Sequence, residues 1–300
     1  MNHLKDLVLS LRPYQWSKNI LLFAGLFFSL SLFDVPLLLK AIYGFISFIL
    51  ASSSVYLFND ITDLEKDRLH PVKKHRPLAS GRVKKTEAIV LSAVLFFLSL
   101  AIPAWLINAL FGYIIFAYML INLAYSFYFK QVVILDVFLV SLGFLLRVIA
   151  GIVAIGVPIS QWIIIATFLL ALLLSVGKRR GEIINLNDGA SRHRKSLNKY
   201  SLSFIDNLLN IIAASTIVTY ALYTLADETV ARFHTHMLIL TTPVIIYMLF
   251  RYLYMLQHKN QGEDPIIMVI KDQHLILGGL VWLIMIGAII YLKLQVGYYI

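Results

Sequence analysis

Asn59-Asp60-x-x-Asp63-x-x-x-Asp67 closes a very apolar segment, and His70-Pro71-Val72-Lys73-Lys74-His75-Arg76-Pro77-Leu78-Ala79-Ser80-Gly81-Arg82 follows at once. Carboxylates at i, i+3 and i+7 fall on one face of a helix, where like charges repel unless a cation lies between them. Hard oxygen ligands favour Mg2+, which binds few carboxylates and completes its shell with water and substrate phosphates. Asp60, Asp63 and Asp67 are therefore the candidate metal ligands and catalytic group, with Asn59 as a neutral oxygen ligand or hydrogen-bond donor. An ion held there would neutralise and orient a diphosphate leaving group. Arg76 and Arg82 suit bidentate contact with phosphate oxygens, and Lys73 and Lys74 serve as point charges. A solvated helix end is the ordinary fate of a charge run. Here the cluster abuts lipid-type sequence, which favours chemistry, whereas Lys84 and Lys85 read better as topology signals.

A second basic stretch begins at Gly177-Lys178-Arg179-x-x-Glu182 and continues through Arg192-His193-Arg194-Lys195-Ser196-Leu197-Asn198-Lys199-Tyr200. Three cations at a membrane boundary can be a plain anchor. Glu182, one turn from Lys178 and Arg179, argues instead for cations oriented toward an anion. No second Asp-rich helix accompanies them, so Lys178, Arg179, Arg194 and Lys195 suit direct rather than metal-bridged phosphate binding. Near the N-terminus, Tyr14 and Trp16 read as interfacial aromatics and Lys18 as a snorkelling anchor, the alternative being that Lys18 and Asn19 point into the cavity and meet an anionic headgroup. Arg147 is the most expensive residue, because a lone cation inside a span costs several kcal/mol. Asp136 lies about three turns earlier, and direct pairing of the two is not assumed. Tyr125, Ser126, Tyr128 and Lys130 end the fourth span on one side, as substrate-positioning groups or interfacial residues.

The elements that must carry these groups are apolar helices. The chain of 300 residues is 60% hydrophobic and 14% charged, where soluble domains are nearer half apolar and a quarter charged. An ordinary water-soluble fold is excluded, and a polytopic membrane protein is indicated. With no cysteine there is no disulfide, thiolate catalysis or Cys-based zinc site. No signal-peptide cleavage site is read in the first residues. About nine runs reach spanning length, near 18–33, 40–58, 87–107, 109–129, 132–155, 161–177, 204–225, 236–257 and 274–294. The net charge of +10 concentrates in loops 59–86 and 178–203, which the positive-inside rule puts on the cytoplasmic face of the cell membrane. No fixed repeat is visible, and these loops read as short cap helices rather than separate domains.

Together these residues resemble the UbiA superfamily of intramembrane prenyltransferases. The likeness rests on Asn59 to Asp67, on Arg76-Pro77-Leu78-Ala79-Ser80-Gly81, on Leu135-Asp136-Val137, and on Gly143-Phe144-Leu145-Leu146-Arg147-x-x-Ala150-Gly151. It implies an all-α fold of about nine transmembrane helices around a central cavity, as a single domain over residues 1–300. Typical members carry a second Asp-rich motif, which this chain lacks. The second loop, with Trp16-x-Lys18-Asn19, instead looks like the decaprenyl-phosphate phosphoribosyltransferase branch. That branch implies Mg2+-dependent transfer of a 5-phosphoribosyl group from phosphoribosyl pyrophosphate to a polyprenyl phosphate, with pyrophosphate released. Asp60, Asp63 and Asp67 would hold the metal against the donor, Arg76 and Arg82 its phosphates, and Lys18, Lys178 and Arg179 the lipid phosphate. No nucleic-acid partner is expected, and self-association is left open. The runner-up is a prenyltransferase joining a prenyl diphosphate to an aromatic acceptor such as 4-hydroxybenzoate, for which a second carboxylate pair is missing. A transporter or flippase would explain Arg147 and Asp136 but not the gathering of charged clusters on one membrane face.

Overall fold

The computed structural model describes residues 3–187, 200–258, 268–269 and 271–291, and these form helices and connecting turns with no strand. In chain order they are α1 (His3–Ser10), a 3-10 segment (Pro13–Phe23), α2 (Ala24–Phe28), α3 (Val35–Thr62), α4 (Leu64–Leu69), α5 (Lys85–Leu106) and α6 (Ala109–Phe127). They continue with α7 (Leu135–Ile155), α8 (Gln161–Asn187), α9 (Leu202–Leu225), α10 (Asp227–Phe233), α11 (Thr242–His258) and α12 (Gln273–Tyr291). Among the described residues, eight helices are long and apolar enough to cross a membrane. In hydrocarbon a helix satisfies its own backbone polar groups, which is why runs of this composition fold this way. Large apolar side chains such as Phe97, Trp105 and Ile284 stay on the outside, as suits lipid rather than water. The protein is a multi-pass membrane protein.

The first expected span, 18–33, is not a continuous helix. The 3-10 segment and the five-residue α2 replace it. The hydroxyls of Ser29 and Ser31 bond back to the carbonyls of Leu26 and Ser29 at 3.3 and 3.4 Å. Leu30 takes a left-handed conformation with φ of 62°, and the run ends there. Asp34 then caps α3 by accepting from the Leu37 N–H at 3.1 Å. The remaining spans match the expected ones with ends shifted by a few residues, except that α8 continues to Asn187, ten residues past the expected end at 177, so that Lys178, Arg179 and Glu182 stand on a helix rather than in a loop.

The chain divides into two compact units, Met1–Phe129 with Gly143–Ile159, and Lys130–Leu142 with Ser160–Ile300. In the first, α3 and α5 are joined by small polar residues. Ser54 Oγ donates to the Ser92 carbonyl at 2.8 Å, Ser92 Oγ returns a bond to the Ser54 carbonyl at 3.0 Å, and Ser47 Oγ donates to the Ser99 carbonyl at 2.6 Å. Such residues let helix backbones approach closely inside a membrane, and this pair aims the C-terminal end of α3. A core of Leu22, Phe48, Phe111, Ile115, Tyr118, Met119 and Ala154 packs in the same unit. In the second unit α8, α9, α11 and α12 share one apolar core, including Leu173, Val176, Leu209, Tyr252, Leu256 and Leu275. Asp272 caps α12 through the Leu275 N–H at 3.0 Å and pairs with Arg251 at 2.7 Å.

The 3-10 segment is pressed onto α7. A methyl carbon built at Gly151 would lie 1.9 Å from the Leu22 carbonyl oxygen, and one at Gly25 would lie 2.8 Å from Ile152 Cγ1. Only glycine permits that backbone approach. Gly151→Ala is therefore expected to cost about 2 kcal/mol by overpacking, read as a lower thermal midpoint in detergent. Gly287→Ala, where nothing lies within 4 Å of the added carbon, should leave the midpoint unchanged.

Candidate active site

The chemistry-bearing end of α3 begins at Asn59 and Asp60. Asp63 does not continue the helix regularly: with φ of −97° and ψ of 11° it ends α3 and joins it to α4. The expected three-carboxylate helix face is thereby broken. Asp60 and Asp67 are buried, and both accept from Arg76 Nη1, at 3.0 and 2.5 Å. Arg12 donates to the same Asp60 oxygen, and Lys73 Nζ stands 4.0 Å from Asp67. Asp63 is set apart, 3.7 Å from Lys66 Nζ. Among the described residues no three carboxylate or imidazole groups converge closely enough to enclose a metal by themselves. One guanidinium nitrogen thus bridges two buried carboxylates, because two such charges so close require a cation.

This donor set suits a divalent ion that keeps water or substrate oxygens in its shell. It offers two carboxylates drawn to one point. Beside them Asn59 Oδ1 is buried with no hydrogen-bond partner, an unsatisfied acceptor of the kind that a metal or water claims. The arginines supply the positive charge there now.

Arg12 reaches the cluster because of local backbone geometry. It sits between α1 and the 3-10 segment with φ of 56°, a conformation uncommon for a residue with a side chain. Its guanidinium lies over the Tyr56 ring at 5.1 Å. Trp16 Nε1 donates to Ser53 Oγ at 3.1 Å, and Ser53 Oγ donates to the Leu11 carbonyl at 3.2 Å, which ties the start of the segment to α3. Arg82 is not with the carboxylates. It pairs with buried Asp6 at 3.2 Å and donates to the His75 carbonyl at 2.8 Å, fastening α1 to the loop.

Deeper in the same unit lies Arg147. It is buried, and its donors meet Asn19 Oδ1 at 2.7 Å, the Gly143 carbonyl at 2.6 Å and the Tyr118 hydroxyl at 2.8 Å. The rings of Tyr118, Phe144 and Phe48 surround it at 4.7, 5.7 and 5.8 Å, so the cation is solvated by π faces and neutral oxygens. These partners are all uncharged. Asn19 is fully buried and its Nδ2 has no partner. Lys18 Nζ sits 5.8 Å from the Phe144 ring. Lys18, Asn19 and Arg147 thus make a region rich in donors.

In the second unit Asp136 lies within the span, in the first turn of α7, and it is fully buried. Its partner is not Arg147 but Arg179, whose Nε is 2.8 Å from Asp136 Oδ2, while Arg179 Nη1 donates to Glu182 at 2.5 Å. Tyr200 donates to Asp136 Oδ1 at 2.9 Å and accepts from the Ile134 N–H at 2.5 Å. Burial pushes the Tyr200 phenol up to about 12, so it remains the donor. Ile134 has φ of 70°, strained for a β-branched residue and held there by these contacts. Lys178 is exposed. Arg180 pairs with Asp206 at 2.7 Å and donates to the Leu256 carbonyl. Tyr125 and Lys130 are half-buried, Ser126 bonds to the Asn122 carbonyl at 2.8 Å, and Tyr128 is exposed. Arg194 and Lys195 lie outside the described residues.

Sequence reasoning passed over Arg12 and Tyr118 as site residues. Nothing in the spacing of Arg12 pointed to Asp60, whereas a tyrosine in the middle of an apolar span is a usable signal for Tyr118. The arginine bridge has a consequence that can be measured. Arg76→Ala leaves Asp60 and Asp67 facing each other, and should lower metal-free stability by about 2 kcal/mol. Millimolar Mg2+ should recover most of that loss, with a larger thermal shift than in the unsubstituted protein; equal shifts would contradict the two-carboxylate site.

Residues 20–277 match the sequence profile of the UbiA prenyltransferase family. Over 303 residues the chain is 34% identical to a decaprenyl-phosphate phosphoribosyltransferase of Mycolicibacterium smegmatis, covering 97% of this chain and 94% of that one. It is 31% identical over 293 residues to a protein of the same name from Mycobacterium tuberculosis, covering 96% and 95%. Among solved structures it resembles a UbiA homolog from Archaeoglobus fulgidus bound to DMAPP and Mg2+. That likeness has a TM-score of 0.69 and 23% identity, over 92% of this chain and 95% of the other, and it speaks to the fold. The chain is a membrane-embedded transferase and belongs to the UbiA prenyltransferase family.

Proposed function

We propose that this enzyme moves a 5-phosphoribosyl group from phosphoribosyl pyrophosphate to a polyprenyl phosphate and releases pyrophosphate, with Mg2+ as cofactor. The observation that carries the reading is the contrast within the first unit. A carboxylate pair suited to a metal-bound diphosphate sits at the end of α3. A buried arginine whose partners among the described residues are all neutral, suited to a monophosphate, sits on α7. The full-length similarity to enzymes named for decaprenyl phosphate supports the lipid class.

Asp60 and Asp67, with Asn59 beside them, would hold Mg2+. When bound, the ion supplies charge neutralisation to the departing pyrophosphate. Arg76 and Arg12 rest on the carboxylates in the structure and can turn to donor phosphate oxygens. As the bond from ribose C1 to the pyrophosphate oxygen stretches, positive charge grows on the ring and negative charge on the leaving group, which these guanidiniums stabilise. A lipid phosphate oxygen forms the new bond to C1 from the opposite face. A phosphate monoester is ionised near neutral pH, so no general base is needed. Arg147 and Lys18 hold that phosphate, with Asn19 and Tyr118 fixing the direction of the Arg147 guanidinium. Arg179, which was expected to join them, already has Asp136 and Glu182 against it. We assign the reaction to one catalytic domain spanning the chain, with its active site on the cytoplasmic face that the basic loops indicate.

Purified protein supplied with labelled phosphoribosyl pyrophosphate, Mg2+ and polyprenyl phosphate should place label in the lipid fraction. Asp60→Asn should lower turnover by on the order of 100-fold. Lys18→Ala should raise KM for the lipid about tenfold, equivalent to about 1.4 kcal/mol, and leave KM for the donor unchanged. Label transfer from a prenyl diphosphate to 4-hydroxybenzoate, with none from phosphoribosyl pyrophosphate, would replace this reading with the aromatic prenyltransferase one.

A further inference from the structure

Each unit contains two carboxylates gathered by one arginine, and the two arrangements differ in a telling way. In the first unit Arg76 bridges Asp60 and Asp67 from a partly exposed position, its side chain 29% accessible, with Arg12 and Lys73 close by. In the second unit Arg179 bridges Asp136 and Glu182, and its side chain is 5% accessible. A solvated arginine can turn away to a ligand. A buried one cannot leave two carboxylates without another cation taking its place.

The second bridge has a further feature. Asp136 is fully buried, and Arg179 Nε lies 2.8 Å from its Oδ2, yet neither atom has the alignment of a hydrogen bond. The attraction is that of two charges, without direction. Tyr200 fixes the other carboxylate oxygen, so Asp136 stays aimed at the guanidinium. What this corner requires is positive charge at a point, a need that a divalent metal would equally meet.

We infer that Arg179 is a built-in counter-ion that closes the Asp136–Glu182 pair to divalent metal, so that the second unit recruits none. Arg179 is thereby a specificity residue rather than a phosphate ligand. A lipid substrate whose diphosphate needed a second metal grip would find that position neutralised, while a monophosphate makes no such demand. That consequence for substrate choice rests on the phosphoribosyl-transfer reading; the metal count does not.

The test is Mn2+ binding to the full-length protein in detergent, counted by electron paramagnetic resonance. Arg179→Met keeps most of the side-chain volume and removes the charge. It should bind one more Mn2+ per chain than the unsubstituted protein. Arg179→Lys should match the unsubstituted count, and Arg179→Met with Asp136→Asn should return to it. Should Arg179→Met fail to fold, Arg179→Gln serves with the same expectations. A folded neutral variant that gains no ion overturns the inference, as does an extra ion that survives Asp136→Asn. The unsubstituted count reports separately on the Asp60–Asp67 site: if it binds no Mn2+, the metal reading of the first unit fails while the difference between variants still decides this one.

Discussion

A carboxylate removed from water must keep a cation beside it, and this requirement organises the polar interior of the protein. Asp60 and Asp67 are held by Arg76, Asp6 by Arg82, Asp136 by Arg179, and Asp272 by Arg251. The partners come from distant points of the chain, so the pairings also decide which segments lie together. Arg82 secures α1, Arg76 folds the first basic loop back onto α3, and Arg251 joins α11 to the start of α12. Replacing one partner would strand its opposite charge, and much of the cost would come from that stranded group.

Arg147 is the exception, and its environment shows how a membrane protein can keep a cation without an acid. Three uncharged oxygens take its N–H groups and three aromatic rings lie around it. The arrangement holds only while the 3-10 segment stays against α7, because Asn19 supplies one of those oxygens. The close passage of Leu22 over Gly151 therefore serves the charge as well as the packing. Backbone and electrostatics are here a single constraint.

Much of this was legible in the residues. Long apolar runs without charge can only be helices in lipid, so eight of the expected spans appear among the described residues, with small shifts at most ends and a longer C-terminal extension of α8. Asp60, Asp67 and Arg76 were readable as one cluster because they are close in sequence. The regular helix through Asp63 was not, since a single residue near the bridge region breaks the face that the spacing describes. Arg82 pairs with Asp6 and Arg12 stands on Asp60 for a related reason: partner choice over long sequence distances depends on how α1 folds back, and local spacing carries no record of that. The same holds for Asp136. Its distance from Arg147 along one helix argued against direct pairing, but only the packing of α8 and α9 in the second unit identifies Arg179 and Tyr200 as its partners.

Those partners come from three separate places in the chain: Asp136 from the first turn of α7, Arg179 and Glu182 from α8, and Tyr200 from the position just before the cap of α9. One carboxylate therefore ties together segments far apart in sequence. The entropic penalty for such a closure grows only slowly with the length of chain between the joined points and is met once, during folding.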